Sequence, residues 1–303
     1  MPILRKYINV VTNSIKITCY YSFFNIPYSS YLISFWSQID LVPLKGQNDG
    51  LNKFIYDFYL RYKMFVKLLS KIITVIEHPI LLKTINNKIN RRFVKDLIFV
   101  KEKLMLIPNT IIDIGGAIGE WSLAANLVFP NSKLYFFEPI TESFNIAKKR
   151  LSHLNNVKFF NYALSSNNGN AKFYLNEFSF SSSLLRMTEK HKKIFPFTKN
   201  ESEIVVETNR LDTINGIELI KPVYIKMDVQ GAELRVLEGA GELIEKFDAI
   251  QLEVNFENFY YGQAEYDKIF SFMLSNEFIR FVQIDSLYSK GGCLLASDLI
   301  FLR

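Results

Sequence analysis

Residues 110–119 read TIIDIGGAIG, and the change of residue type along this stretch decides the fold. Thr110, Ile111, Ile112 and Ile114 are β-branched, the class that packs well on a pleated surface, so residues 110–115 are expected to form a strand. Gly115, Gly116 and Gly119 then let the backbone turn tightly and approach a ligand closely. Residues 118–128 follow with helical spacing, and the start of such a helix offers free N–H groups and a positive dipole end. The segment fits neither the dinucleotide pattern G-x-G-x-x-G nor the phosphate pattern G-x-x-x-x-G-K-[ST]. What remains is a looser loop, Asp113-x-Gly115-x-x-x-Gly119.

Downstream, short apolar runs alternate with helical patterns, the signature of βαβ units and a mostly parallel sheet. Strands are expected at 133–139, 157–164, 222–229, 247–254, 278–284 and 293–302, with helices at 141–153, 232–245 and 263–275. The alternation pauses over 170–209, which reads as an inserted excursion over the sheet edge. In open α/β sheets, ligands bind beyond the carboxyl ends of the strands, so residues at those ends are the candidates for chemistry. Glu138, in Phe136-Phe137-Glu138-Pro139, lies 19 residues after Gly119 and can accept hydrogen bonds from ribose hydroxyls; Pro139 then stops the strand. Ala163, in Asn161-Tyr162-Ala163-Leu164, is small enough to leave room for a flat ring, with Asn161 beside it. Asp228 ends the strand 222–229 and faces the glycine loop, placed to orient or deprotonate an acceptor hydroxyl. Lys226 and Glu233 join it in a local charge network, or Glu233 caps the next helix. Glu253 ends another central strand as a second catalytic candidate, or serves as a structural acid. His191, on the insertion, is a third candidate base. The Ser-rich run Ser179–Leu184, followed by Arg186, reads as part of the acceptor side or as a plain turn.

Taken in order, D-x-G-x-x-x-G, F-x-E-P, N-x-A-L, R-L-D-T (210–213), I-K-x-D-V-x-G-A-E (225–233), V-L-E-G-A (236–240) and Q-L-E-V (251–254) resemble the FkbM family of S-adenosylmethionine-dependent methyltransferases over about residues 108–302. The resemblance implies a class I, Rossmann-like methyltransferase fold: a mostly parallel seven-stranded sheet with helices on both faces. It implies S-adenosylmethionine as cofactor and methylation of a hydroxyl on a sugar, glycan or secondary metabolite. Carried over by position, Asp113, Gly115, Gly116 and Gly119 form the methionine-side loop. Glu138 and Pro139 take the ribose side, Asn161 and Ala163 the adenine side, and Asp228 the reacting centre. Two departures stand out. The family commonly has G-A-N-x-G where this chain has Gly116-Ala117, and D-V-E-G-A-E where it has Gln230. With one fewer carboxylate in that loop no metal is expected, because magnesium sites lean on carboxylates.

Upstream, the texture differs. Residues 1–109 carry 16 Lys and Arg against 6 Asp and Glu, whereas residues 110–303 carry 20 against 24. Residues 1–104 are read as a basic, aromatic-rich helical region and 105–303 as the methyltransferase domain. The greasy stretch 15–36 is broken by Lys16, Asn25 and Pro27, so no clean spanning helix is available there. Within 51–83, Phe54, Phe58, Phe65, Leu68, Leu69, Ile72, Ile73 and Ile76 recur at helical spacing among Lys53, Arg61, Lys63, Lys67 and Lys71, until Pro79. Such a helix packs on the catalytic domain, on a second copy in a homo-oligomer, or peripherally on an anionic membrane surface. The opening residues show no secretory pattern. Cys19 and Cys293, far apart, suggest neither a disulfide framework nor a zinc site, so a cytoplasmic setting is expected. Two rival readings keep the fold: a silent scaffold, or a nucleic-acid methyltransferase, for which the chain has no recognised nucleic-acid module.

Overall fold

The computed structural model describes residues 7–12, 15–20, 40–43, 57, 59–65, 67–69, 76–86, 89–176, 181–198 and 200–303. These divide into two compact units, residues 1–83 and 84–303. In the first, β1 (Tyr7–Thr12), β2 (Ile15–Tyr20) and β3 (Asp40–Pro43) form an antiparallel three-stranded sheet in that order. These strands differ from the helical character expected of residues 1–104. Val10, Val11 and Thr12, then Ile15, Ile17 and Thr18, are β-branched residues that favour strands. Residues 59–65 and 67–69 are helical as expected; Phe54, Phe58, Ile72, Ile73, Lys53 and Lys71 lie outside the described residues. Pro79 opens a 3-10 turn, Pro79–Leu81, at a position where its missing N–H costs nothing. No helix among the described residues is long and apolar enough to cross a membrane.

The second unit begins about twenty residues before the expected boundary at 104/105, because α1 (Arg91–Glu102) belongs to it. Asn90 caps α1 by accepting from the Arg92 N–H. Val94, Leu97, Ile98 and Val100 are buried. The unit is organised around β4 (Thr110–Ile114), β5 (Lys133–Phe137), β6 (Val157–Phe160), β10 (Val223–Met227), β11 (Ala249–Asn255), β12 (Arg280–Tyr288) and β13 (Leu294–Leu302). They lie in the order β12-β13-β11-β10-β4-β5-β6. All neighbours from β11 to β6 are parallel, and β13 runs antiparallel to both β11 and β12. This is the mostly parallel seven-stranded sheet of class I methyltransferases. Between β6 and β10 the excursion forms its own sheet, β7-β9-β8, from β7 (Ala163–Leu164), β8 (Gly169–Asn176) and β9 (Glu201–Asn209), and carries α4 (Glu189–Ile194).

Alternation along β4 explains both faces. Ile112 and Ile114 point into a core shared with Ile225, Met227, Leu252 and Val254 and closed by Val236 and Leu237 of α5 (Glu233–Gly239) and Ile269 and Met273 of α6 (Tyr266–Ser275). The opposite face meets α2 (Glu120–Val128) and α3 (Thr141–Arg150): Trp121 lies against Tyr224, and Phe144 against Phe136. The chain leaves β4 toward β5 on one side and returns to β10 on the other. The topological switch point therefore falls between β4 and β10, where the loops after both strands open a crevice.

Candidate active site

The loop after β4 is held by its neighbours. The Gly115 and Gly116 N–H groups both donate to the Phe137 carbonyl at 3.0 Å, and the Asp228 N–H donates to the Ile114 carbonyl at 3.0 Å. Gly115 has φ +71°, and a Cβ there would stand 2.1 Å from the Asp228 carbonyl oxygen; one on Gly116 would stand 2.1 Å from the Phe136 ring. Both positions need the absent side chain, so backbone lines the crevice. Gly119 caps α2, where a side chain would press on Ala147 and Leu151 of α3.

Glu138 is 4% exposed and closes the far side of the loop. Its Oε2 accepts from the Ala117 N–H at 2.9 Å and its Oε1 from the Ile140 N–H at 2.8 Å. Burial pushes this carboxyl up to about 7 against the pull of those two backbone donors. Asn161 acts on the same turn from behind: its Nδ2 donates to the Glu138 carbonyl at 2.8 Å and to the Pro139 carbonyl at 3.3 Å. It braces the turn and is absent from the cleft wall, while Ala163 lines it.

Asp113 is fully buried on the α2 side of β4. It accepts from Ser122 Oγ at 2.6 Å and pairs with Lys226 Nζ at 3.3 Å. Its part is to fix Lys226, which lines the cleft with its ammonium 5.9 Å from the Trp121 ring. Burial works against the Lys226 charge, but Asp113 and Asp228 outweigh it and hold its proton affinity above the ordinary lysine value. Asp228 lines the cleft half-exposed, with Oδ2 4.0 Å from Lys226 Nζ. Glu233 reaches back to accept from the Val229 and Gly231 N–H groups, so it braces the loop after β10. Burial lifts it to about 7.

Glu253 follows Leu252, which pairs with Met227, so it continues beside Asp228 one strand over. It does not line the cleft. Burial, with Asp228, Asp298 and Glu233 nearby, pushes it well above the usual carboxylate range. His191 is buried among Phe195, Phe259 and Tyr260, with Nδ1 3.2 Å from Thr198 Oγ1. Burial lowers its basicity, and it is a packed aromatic rather than a base at the cleft. Ser179 and Phe180 lie outside the described residues. Ser182 and Leu184 line the cleft, and Ser183 Oγ donates to the Val229 and Gln230 carbonyls.

These groups surround one cleft at the carboxyl ends of β4, β5 and β10, where open α/β sheets bind their ligands. A backbone-lined loop, a buried acid at ribose spacing and an apolar wall of Tyr162, Ala163 and Leu164 fit S-adenosylmethionine. Phe93 of α1 and Trp121 complete the wall; neither was marked by any motif, and Phe93 lies outside the stretch that resembles the family. Among the described residues, no group of three or more His, Cys, Asp or Glu side chains is arranged to hold a metal ion.

Comparison with known proteins places this geometry. The model of the methyltransferase FkbM domain matches residues 113–280, more than half of the chain. The 2-O-methyltransferase NoeI of Sinorhizobium fredii is 30% identical over 191 residues, covering 58% of this chain and 77% of that protein. Among solved structures, the chain is similar to EvdMO1 (TM-score 0.40, 10% identity, 69% of this chain and 40% of that one). It is also similar to the N-terminal domain of EvdMO1 in the presence of SAH and D-fucose (TM-score 0.40, 9% identity, 70% and 83%). The chain belongs to the FkbM methyltransferase family and takes S-adenosylmethionine as its methyl donor.

Proposed function

We propose that the chain methylates a hydroxyl oxygen of a sugar, glycan or secondary metabolite, with Asp228 hydrogen-bonded to that hydroxyl. The observation that carries this reading is the Asp228 carboxylate, half-exposed in the cleft at the carboxyl end of β10. S-adenosylmethionine, when bound, supplies an electrophilic methyl group on a sulfonium. Gly115, Gly116 and Ala117 would hold its methionine part, Glu138 its ribose, and Tyr162, Ala163 and Leu164 its adenine. Asp228 orients the acceptor oxygen and takes its proton as the new bond forms, while Lys226 balances the carboxylate. Transfer to oxygen is supported by the similarity to a protein named as a 2-O-methyltransferase.

The test is transfer of labelled methyl from S-adenosylmethionine to a panel of sugars and lipid-linked glycans. Label that survives alkali excludes a methyl ester, and its position on the sugar ring identifies an ether; transfer only to amines or nucleic acid would sink the acceptor class. Asp228→Asn should lower turnover about 100-fold or more with the cofactor Kd unchanged, and unaltered turnover would remove Asp228 from the chemistry.

A membrane role for the first unit rests on a separate observation. Leu60, Met64, Phe65 and Leu68 are exposed on a helical stretch that also bears Arg61 and Lys67, a composition suited to an anionic interface. Co-sedimentation with phosphatidylserine vesicles, lost in Phe65→Glu, tests it.

A further inference from the structure

Asp228 is part of a chain of hydrogen bonds. Gln230 Nε2 donates to Asp228 Oδ1 at 2.6 Å, and Gln230 Oε1 accepts from the Tyr260 hydroxyl at 2.6 Å. The loop is shaped for this contact. Gln230 has φ +55°, in the left-handed region where a side chain is strained. Such strain persists where the surroundings over-determine it. Ser183 Oγ donates to the Gln230 carbonyl at 2.8 Å. At Gly231 a Cβ would come within 2.8 Å of the Tyr260 ring, so that ring packs directly on the loop.

The amide has a fixed sense. Tyr260 places its proton on Oε1, which leaves Nε2 toward Asp228. A reversed amide would set Oε1 against Asp228 Oδ1, two acceptors with no proton between them. We infer that Gln230 is a positioning residue for Asp228: it occupies Oδ1, leaves Oδ2 for the acceptor hydroxyl, and is itself locked by Tyr260. This inference rests on the role given to Asp228 above.

The charge around the pair explains why an amide suits this position. Asp228 is surrounded by Lys226 on its own strand, Asp113 on β4 beyond it, Glu253 on β11, Asp298 on β13, Glu233 on α5 and the Tyr260 hydroxyl. A neutral donor at residue 230 adds no negative charge to this acidic setting. The Glu common in the family would set a second carboxylate against Asp228, and the two would share a proton.

The experiment follows the Asp228 side-chain carboxyl by 13C NMR titration in the full chain, beside the pH profile of methyl transfer to a sugar acceptor. Removing an N–H donor from a carboxylate raises its midpoint. Gln230→Gly should therefore shift the Asp228 midpoint upward, Tyr260→Phe should shift it less, and Gln230→Glu should give two coupled steps. Gln230→Gly also relaxes the left-handed backbone, so a retained melting temperature excludes unfolding as the cause. Turnover should fall about tenfold with the acidic limb moved upward and the KM for S-adenosylmethionine unchanged. An Asp228 midpoint that is the same in wild type and all three variants would overturn the inference. If Asp228→Asn leaves turnover intact, Asp228 loses its role in the chemistry and Gln230 loses its role with it, whereas the titration alone decides their contact; the two failures are therefore told apart.

Discussion

At the scale of single residues, the cofactor loop depends on what is missing from it. In Gly115→Ala the new methyl would meet the Asp228 carbonyl at 2.1 Å on a backbone already at φ +71°, and neither atom belongs to a flexible side chain. That variant should lose S-adenosylmethionine binding by at least about 100-fold, checked by calorimetry. Ala117 presents the opposite case. It holds φ +47° at the position where the family commonly has Asn, a residue that tolerates this region. Ala117→Asn should stabilise the protein by on the order of 1 kcal/mol, read from the shift in urea midpoint. The residue types around this cleft were legible because geometry constrains them: glycines where a backbone approaches, and acids at the ends of β5 and β10. Asn161 was legible as a member of the site but not in its part, since spacing does not reveal that its amide turns back onto the Glu138 and Pro139 carbonyls. The Gln230–Tyr260 bond was not legible at all, because its partners are thirty residues apart and meet only through the fold.

At the scale of elements, the strands and helices of the second unit were readable from their periods, except that the expected strand 157–164 divides into β6 and β7, and β7 joins the sheet of the insertion. The antiparallel insertion of β13 between β11 and β12 has no local signature. α1, within the region 1–104, falls in the second unit: Val94, Leu97, Ile98 and Val100 form an apolar stripe, and a stripe in a sequence does not say which protein surface covers it. Here it is covered by the catalytic unit, and Phe93 reaches the cleft. Leu97 is fully buried, so Leu97→Ala should cost about 2–5 kcal/mol in a urea melt followed by tryptophan fluorescence. A chain starting at Thr84 should keep S-adenosylmethionine binding; one starting at Met105 should lose it. Binding retained by the shorter chain would show that α1 is dispensable. In the first unit, β1 to β3 were not legible because each is six residues or fewer, too short a run to show a clear period.

At the scale of the whole molecule, buried acids tie stability and binding to pH. Glu138 and Glu233 are lifted to about 7, and Asp96 and Asp298 to about 6, mainly by burial. A carboxyl whose folded value is raised adds stability that is full below its unfolded value and is lost as pH rises through the folded one. The cofactor-free protein should therefore melt at lower temperature at pH 8 than at pH 5.5, and Glu233→Gln should flatten that slope. Binding runs the other way. With Glu138 in its proposed role of accepting from the ribose hydroxyls, affinity should weaken as pH falls below about 7, with one proton released per cofactor bound in acidic buffer.

The central claim is that this cleft is an S-adenosylmethionine site built on Gly115 and Glu138. Calorimetric titration of the full chain with S-adenosylmethionine at pH 8, beside Glu138→Ala, tests it most directly. The account predicts one-to-one binding at micromolar concentration in the wild type and a loss of about tenfold or more in the variant. No heat of binding at high micromolar cofactor, or equal affinity in the two proteins, would contradict it.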